Sequence, residues 1–314
     1  MVTLVIRHDL DIASEIDTVP DDLTVVSADD EDAVLSIDSL ADVFVAANST
    51  WEDIYLEVLT DGAWVQTTSK GVDNFPVERF EERGITFTNA AGNHGVVVAE
   101  HVFALVLAIS RRLPDLLAQQ QHNEWDRSQT LGLTDWNDRT LTVLGLGEIG
   151  EDVARRGQAF NMVVNGVKRS LEGYDGCVPE DNLYPSGDFQ SVLPETDLLV
   201  VAVPYNDETH NLIDADVLAQ LPSAATVINV SRGGVVDEPA LIDALEVGVI
   251  AAAGLDVFET EPLPPESPLW EMENVIVTPH VGGRSDRFAG RFADLLLENY
   301  DRWRRGEELK NRVV

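Results

Sequence analysis

Residues 140–150, TLTVLGLGEIG, carry the strongest local pattern in this chain. Thr140–Leu144 predicts a buried strand and Val153–Phe160 a helix, so a glycine-rich turn joins a strand to a helix. In that setting the glycines permit a tight turn and the close approach of a pyrophosphate, and the helix N-terminus faces the negative charge. A bare GxGxxG also occurs in ordinary turns, and only the flanking strand and helix make a nucleotide site the better interpretation. The residues predicted to bind the nucleotide are Gly145, Leu146, Gly147, Glu148, Ile149 and Gly150.

Short apolar runs alternate with helical patterns on both sides of this turn, which is typical of parallel sheets with crossover helices. Five strands are predicted before it, at Leu4–Ile6, Thr24–Val26, Val43–Ala46, Trp64–Gln66 and Thr86–Thr88. Six are predicted from it onward, at Thr140–Leu144, Met162–Val167, Leu198–Val203, Thr226–Val230, Ala251–Leu255 and Val275–Thr278. Six strands with intervening helices favour a doubly wound nucleotide-binding sheet.

The segments between the first strands predict helices or turns, at Leu35–Ala41, Asp53–Leu59 and Phe75–Glu82. Val96–Ser110 is almost wholly apolar and predicts a buried helix that is too short to span a bilayer comfortably. A polar connection through Trp125 and Trp136 then leads to the glycine-rich turn. Phe288–Arg305 has apolar residues at helical spacing, and the pattern alone leaves open whether it completes the second unit or returns to the first.

Length and composition restrict the class of protein. A chain of 314 residues is expected to form two domains. No apolar run is long enough for a membrane span, and the N-terminus has no basic region before an apolar core, so we expect a soluble protein without a secretion signal. The single cysteine, Cys177, cannot form an intramolecular disulfide, and no Cys/His cluster has zinc-ligand spacing. These features favour a reducing cytoplasm and no metal site.

The charge balance is the most unusual bulk property, since 56 acidic residues face 21 basic ones. Such a surface repels nucleic acid and anionic lipid, which excludes both as partners. The acidic residues are scattered among patterned segments, which argues against a disordered tail. We therefore hypothesise a salt-adapted protein from a cation-rich cytoplasm; the alternative is a moderately acidic protein with no special salt requirement.

The residues at the end of the second nucleotide-binding strand usually select the cofactor. An acidic residue there would accept hydrogen bonds from the ribose hydroxyls, but this chain has Lys168, Arg169 and Ser170. Cations and hydroxyls hold phosphate, and the chain has only three lysines, so we predict NADPH or NADP+ with Arg169 as the main contact, without excluding NADH. The alternative is a solvated pair of charges.

Three further stretches each follow a predicted strand, namely Asn229–Gly234, Gly254–Pro264 and Val277–His280. Because the carboxyl ends of strands line the ligand crevice of an open α/β sheet, four of their side chains should converge there. These side chains are Arg232, Asp256, Glu261 and His280.

With these motifs, the chain resembles the D-isomer-specific 2-hydroxyacid dehydrogenases over nearly its whole length, and a halophilic member in particular. The resemblance includes Lys70-Gly71-Val72-Asp73-Asn74, the helix start Ala99-Glu100-His101 and the segment VAVPYNDETHNLI around Pro204. It implies the NADP(H)-dependent reduction of a small 2-oxo acid to a D-2-hydroxy acid. It also implies a homodimer formed through the cofactor domains.

The resemblance further implies a role for each residue. His280 would donate a proton to the carbonyl oxygen, and Glu261 would favour its imidazolium form. Arg232 would clamp the substrate carboxylate, and Asp256 would hold the nicotinamide carboxamide. The loop residues implied to bind substrate, together with Arg232 and His280, are Ser69, Lys70, Gly71 and Val72. The remaining residues implied to bind cofactor are Val203, Pro204, Val230, Ser231 and Gly282.

The same resemblance implies the domain layout. A flavodoxin-like substrate domain would comprise residues 1–95 and 288–314, and a Rossmann cofactor domain would comprise residues 96–287, both with doubly wound parallel sheets. His101 is interpreted as structural, Glu100 as a capping or interdomain group, and Cys177 as inert.

Three alternatives remain open. Two are enzymes, a glyoxylate and hydroxypyruvate reductase or a short phosphoglycerate dehydrogenase, and the basic cofactor pair makes the NAD-linked second one less attractive. The third is a nucleotide-sensing corepressor of the same fold, which is disfavoured because such proteins carry interaction tails and this chain stops at Val314.

Overall fold

The computed structural model divides the chain into two compact units, residues 1–93 with 285–314 and residues 94–284. The structure describes residues 1–7, 12–16, 20–37, 40–47, 49–72, 74–92, 95–128 and 132–314. Asp73 of the predicted substrate loop lies outside these ranges. Each unit contains one parallel sheet with helices on its faces, which confirms the predicted α/β fold.

The first unit contains a sheet of five strands, β1 Val2–Arg7, β2 Leu23–Ala28, β3 Ala41–Ala46, β4 Leu59–Thr67 and β5 Thr86–Thr88. Their spatial order is β2-β1-β3-β4-β5, and every pair is parallel. This is the strand order of a flavodoxin-like sheet.

Both faces of this sheet are buried, each in its own hydrophobic core. Consecutive strand residues point to opposite faces and therefore contribute to different cores. Val5 and Phe44 belong to a core with Tyr55 and Phe80 on one side. On the other side, the sheet packs against the C-terminal helix through side chains such as Phe292. A buried hydrogen-bonded group also joins that helix to the sheet, with Asn299 donating to Gln66 at 3.3 Å.

The second unit contains a sheet of seven strands, β6 Thr140–Leu144, β7 Val163–Lys168, β8 Leu183–Pro185, β9 Leu198–Val201, β10 Thr226–Asn229, β11 Ala252–Leu255 and β12 Val275–Val277. Their order is β12-β11-β10-β9-β6-β7-β8, again with parallel pairs throughout. The order reverses between β6 and β9, and ligands bind at the carboxyl end of such a switch point.

Eight α-helices occur in the described ranges, α1 Glu31–Leu35, α2 Val77–Glu82, α3 Gly95–Ser110, α4 Leu113–Gln121, α5 Glu148–Ala159, α6 Ala215–Leu218, α7 Glu238–Glu246 and α8 Phe288–Arg305. Helix α3 packs against the second sheet, where Val102 joins a core with Leu141 and Val200. Helix α7 packs on its opposite face, where Leu241 joins a core with Val227. None of these helices combines the length and apolarity that crossing a membrane would require.

The local predictions were correct for most strands, and the structure adds detail at three places. The segment Leu35–Ala41, predicted to be a helix or a turn, begins with the last residue of α1 and a turn at Ser36 and ends at Ala41, the first residue of β3. Asp30 caps the N-terminus of α1 by accepting from the Ala33 amide at 2.8 Å, so the helix lies earlier than the predicted segment. Asp38 and Ser39 lie outside the described residues. The three-residue strand β8, which pairs with β7 at the edge of the second sheet, was not predicted. Helix α4, in which no residue is buried, was not predicted either.

Candidate active site

The glycine-rich turn after β6 is closed by contacts that leave no room for side chains. Gly145 has a φ of 99°, and a Cβ there would lie 2.7 Å from the Ala202 carbonyl oxygen. A Cβ at Gly150 would lie 1.9 Å from the Gly145 oxygen. At Gly147, by contrast, a Cβ would meet nothing within 4 Å, and the residue is exposed at the N-terminus of α5. The turn is therefore tight inside and open where a pyrophosphate would approach.

The carboxylate of Glu148, the first residue of α5, is held away from that opening. Its Oε1 accepts a hydrogen bond from the Gly95 amide at 2.7 Å, at the N-terminus of α3. The buried Leu146 and half-buried Ile149 pack into the core of the unit. Of the six predicted residues, the glycines shape the turn and the others anchor it.

The predicted selector residues differ in what they contact. Lys168, the last residue of β7, donates from Nζ to the Leu146 carbonyl oxygen at 3.0 Å and is half-buried. Arg169 and Ser170 are exposed, and the Ser170 hydroxyl accepts from the Glu172 amide at 3.3 Å. Arg169 is thus the selector cation that faces solvent.

Arg232 follows β10 in a loop stabilised by Asn229. The Asn229 side chain donates to the Arg232 carbonyl at 3.1 Å and accepts from the Ser231 amide and hydroxyl at 3.1 and 2.9 Å. A Cβ at Gly233 would lie 1.8 Å from the Phe258 carbonyl carbon. Only glycine therefore lets the loop after β10 lie directly against the loop after β11.

His280 and Glu261 form a short polar contact, with 2.7 Å between Nδ1 and Oε2. His280 has a left-handed backbone, with φ of 51°, and its amide donates to the Asp256 carbonyl at 2.9 Å. A non-glycine residue in this region is uncommon and is often found at functional sites. Because Nδ1 is engaged by the carboxylate, Nε2 is the ring nitrogen free to exchange a proton with a ligand.

Opposing influences set the ionisation of Glu261. Partial burial tends to raise the pKa of its carboxyl group, but the hydrogen bonds from His280 and the Phe258 amide, together with the nearby Arg232 guanidinium, hold the pKa below its ordinary value. The electrostatic influence of Arg232 shows that the three predicted catalytic residues share one environment.

Asp256 is buried, 3% exposed, at the end of β11 and accepts hydrogen bonds from several elements. Its Oδ1 accepts from the Thr278 hydroxyl at 2.6 Å and the Val281 amide at 3.0 Å, and its Oδ2 accepts from the Gly282 amide at 2.8 Å. Burial tends to raise the pKa of Asp256, but the donors, which include His101, hold it below its ordinary value. The carboxylate is thus ionised and largely occupied by protein donors.

His101 is a site residue whose partners sequence reasoning missed. Its Nε2 lies 2.9 Å from the Thr278 hydroxyl and 3.3 Å from Asp256 Oδ1. The AEH motif gave no indication of these partners, since they are more than 150 residues away. The neighbouring Glu100 forms an ion pair with Arg156 of α5 at 3.7 Å, within the second unit.

The remaining predicted cofactor residues also lie at strand ends. Val203 and Pro204 follow β9, and the Val203 side chain borders Gly145. Val230 is 8% exposed directly after β10. The segments that follow β6, β9, β10, β11 and β12 of the second sheet therefore all contribute predicted residues.

The predicted substrate loop lies after β4 in the first unit. Ser69 donates to the Gly71 carbonyl at 2.9 Å, and Asn89 donates to the Lys70 carbonyl at 3.2 Å. Lys70 is exposed, and Gly71 and Val72 are half-buried. The loop is internally ordered, and its role in substrate binding stays a prediction.

Cys177 lies beside Glu151 in the second unit. Burial and the neighbouring carboxylate raise the pKa of its thiol to about 11. The thiol is therefore protonated at neutral pH, which agrees with the interpretation of this residue as inert.

A seven-stranded doubly wound sheet with a glycine-rich turn at its switch point defines the dinucleotide-binding class of α/β proteins. The family profile described as D-isomer specific 2-hydroxyacid dehydrogenase, NAD binding domain, matches residues 103–282. The chain belongs to the D-isomer specific 2-hydroxyacid dehydrogenase family.

Two archaeal relatives of similar identity to this chain are named as different enzymes. A D-3-phosphoglycerate dehydrogenase of Methanocaldococcus jannaschii is 36% identical over 248 residues, which are 77% of this chain and 46% of that protein. A glyoxylate reductase of Korarchaeum cryptofilum is 36% identical over 251 residues, which are 77% of this chain and 73% of that protein. The chain thus spans about half the length of the first relative.

A solved structure extends the likeness to the whole chain. An NADPH-dependent glyoxylate/hydroxypyruvate reductase from Sinorhizobium meliloti, in complex with citrate, has a TM-score of 0.85 and 28% identity. The alignment covers 100% of this chain and 98% of that one.

The ionised Asp256 predicts a defined pH dependence of stability. Asp256→Asn should lower the free energy of unfolding at pH 7 by about 1–3 kcal/mol, because the buried donors lose a charged acceptor. A carboxylate whose pKa is lowered by folding stabilises the protein above its unfolded-state pKa of about 3.9, and this contribution disappears as the pH falls through the folded-state value. The difference in melting temperature from wild type should therefore shrink below about pH 4.

Melting curves of both proteins between pH 7 and pH 3, at constant high salt, test this expectation. Asp207→Asn, a change at an exposed loop residue, is the matched control and should melt like wild type throughout. A difference for Asp256→Asn that stays constant over the whole pH range would contradict the assigned ionisation.

Proposed function

We propose that this protein is an NADP(H)-dependent D-2-hydroxyacid dehydrogenase that reduces a small 2-oxo acid. The observation that carries the proposal is the contact of 2.7 Å between His280 and Glu261, with Arg232 close enough to lower the pKa of Glu261. A proton donor and a cation for a carboxylate are the two groups that this reduction needs from the protein.

The residues of the second unit fit a dinucleotide. The exposed backbone at Gly147 can meet a pyrophosphate, and the N-terminus of α5 favours its charge. When bound, the nicotinamide supplies the hydride, and the protein supplies binding, orientation and electrostatics.

Each catalytic residue then has a defined task. Arg232 binds the substrate carboxylate with its planar guanidinium, which fixes the orientation of the neighbouring carbonyl. During the reduction, the Nε2 proton of His280 would move to the carbonyl oxygen, which becomes the hydroxyl oxygen of the 2-hydroxy acid. Glu261, ionised because its pKa is lowered, stabilises the imidazolium before transfer and holds the ring in place.

Asp256 defines the cofactor side of the site. Its Oδ1 is occupied by Thr278 and Val281, so Oδ2, which accepts from Gly282, is the better placed oxygen for a carboxamide N–H. Each carboxylate oxygen can accept two hydrogen bonds, so one bond from Gly282 leaves capacity at Oδ2.

A glyoxylate or hydroxypyruvate reductase is the second candidate. It is favoured by the names of the Korarchaeum and Sinorhizobium relatives, and the second of these proteins is NADPH-dependent. A homodimer and a cytoplasmic location are proposed by analogy with the family.

We also propose that the protein is adapted to high salt. Its formal net charge of −35 produces self-repulsion that dilute salt does not screen. Scattered exposed carboxylates are compatible with a folded chain only when cations are abundant or when other interactions offset the repulsion.

Turnover of a panel of 2-oxo acids tests the function. With NADPH in molar KCl, we expect reduction of pyruvate or a larger 2-oxo acid to the D-hydroxy acid, read by cofactor absorbance and chiral analysis. Activity confined to glyoxylate and hydroxypyruvate would support the second candidate.

His280→Ala should lower turnover by about 10²-fold or more, because the proton donor is removed.

His122→Ala is the matched control for that variant. His122 is an exposed histidine after α4, and its replacement should leave turnover unchanged. Equal turnover of His280→Ala and wild type would refute the assigned proton donor.

Cofactor preference is tested at Arg169. Arg169→Asp should shift the ratio of kcat/KM values toward NADH, because a carboxylate repels the 2′-phosphate and accepts from ribose hydroxyls. Arg169→Lys keeps the charge and should shift the ratio less. An unchanged ratio in Arg169→Asp would remove the argument for NADPH.

Salt adaptation predicts a melting temperature that rises steeply between 0.1 and 3 M KCl, as the Debye length falls from about 10 Å to below about 3 Å. Sucrose, which stabilises folded proteins without screening charge, is the control and should have a smaller effect. A flat melting temperature in KCl would contradict the hypothesis.

A further inference from the structure

The turn that would receive the pyrophosphate is held in place by three consecutive residues of β7. Val167 accepts from the amides of Gly145 and Leu146 at 2.9 and 3.3 Å. On the two sides of Val167, Gly166 and Lys168 also contact Leu146. The strand that ends at the cofactor selector therefore also supports the phosphate-binding turn.

Gly166 and Lys168 hold Leu146 in complementary ways. A Cβ at Gly166 would lie 2.3 Å from the Leu146 Cδ1 atom, so the missing side chain makes room for this leucine. Lys168 Nζ donates to the Leu146 carbonyl oxygen at 3.0 Å. Residues two apart in a strand point to the same side, which explains why both reach the same neighbour.

Leu146 is well placed for such a support. It separates Gly145 from Gly147, the residue with open space around its Cα, and its own side chain is 3% exposed. Fixing its carbonyl limits how far the peptide that leads to Gly147 can rotate. A cationic donor on a carbonyl makes a stronger hydrogen bond than a neutral one.

We propose that Lys168 is a positioning residue for the phosphate-binding turn, whereas the recognition of a 2′-phosphate proposed above belongs to Arg169. This inference rests on the proposed binding of a dinucleotide. It follows that the adjacent cations Lys168 and Arg169 have different functions. Lys168 supports binding of every dinucleotide with a pyrophosphate, and Arg169 distinguishes between them.

Two probes separate these roles. NADH has a pyrophosphate and no 2′-phosphate, whereas 2′-AMP has a 2′-phosphate and no pyrophosphate. Lys168→Met, which keeps an unbranched apolar side chain, should raise the dissociation constant of NADH about tenfold, within the range for loss of a hydrogen bond to a charged group. It should leave the dissociation constant of 2′-AMP within about twofold of wild type. Arg169→Gln should weaken 2′-AMP by a larger factor than NADH.

Steady-state kinetics provide an independent readout. Lys168→Met should raise the KM values for NADH and NADPH by similar factors, with little change in kcat at saturation, because the catalytic residues are untouched. Lys168→Arg retains a cationic donor and should restore part of the affinity. Lys310→Met is the matched control, since that lysine pairs with Glu298 in the first unit and should bind both probes like wild type.

The outcomes distinguish failure of the role inferred for Lys168 from failure of the proposed function. If Lys168→Met weakens 2′-AMP and NADPH but leaves NADH unchanged, Lys168 contacts the 2′-phosphate and the inference is wrong. Unchanged binding of all three would also overturn it. Wild-type protein that binds neither dinucleotide would overturn the proposed function as well, whereas equal wild-type affinity for NADH and NADPH would remove only the cofactor preference. Melting curves of each variant establish that the binding changes occur in folded protein.

Discussion

The buried carboxylate of Asp256 joins more elements of the second unit than any other side chain of the site discussed above. It accepts from Thr278 after β12, from the amides of Val281 and Gly282, and from His101 on α3. An ionised carboxylate at 3% exposure is tolerated only because these donors compensate its lost hydration. The backbone of the same residue then positions His280, whose amide donates to the Asp256 carbonyl. Ionisation of one buried group thus fixes the loop that carries His280, the proposed proton donor.

The glycine-rich turn after β6 is held by different means from the pair of His280 and Glu261. Around Gly145 and Gly150 the absence of side chains lets backbone segments touch. Lys168, the last residue of β7, also donates a hydrogen bond to the Leu146 carbonyl oxygen of the turn. Around His280, side-chain hydrogen bonds set the geometry. Backbone donors in a rigid turn suit a pyrophosphate, which needs no proton exchange, whereas a reacting carbonyl needs a group that gains and loses a proton. Both arrangements lie at the carboxyl edge of the same parallel sheet.

The amino-acid sequence predicted those features that depend on short segments. The strand before Gly145 and the helix after it follow from local periodicity, and both sheets follow from repeated alternation. Two contacts could not be predicted because they depend on where distant segments meet. They are the contact of His101 with Asp256 and the hydrogen bond from Lys168 to the Leu146 carbonyl oxygen. Periodicity also could not place α8, whose packing against the first sheet is a property of the tertiary fold. Short elements such as β8 depend on neighbours for their conformation.

The acidic composition makes the cationic side chains of Arg169 and Arg232 particularly important. In a chain with a formal net charge of −35, an anionic substrate and an anionic cofactor both meet a repulsive field at long range. Molar salt shortens the Debye length to about 3 Å, which removes most of this repulsion while leaving contacts at hydrogen-bond distance nearly intact. Salt would therefore help the fold and the binding of anions by the same physical effect. Arg169 and Arg232 would then act by direct contact with bound anions, because their long-range attraction is screened as completely as the repulsion.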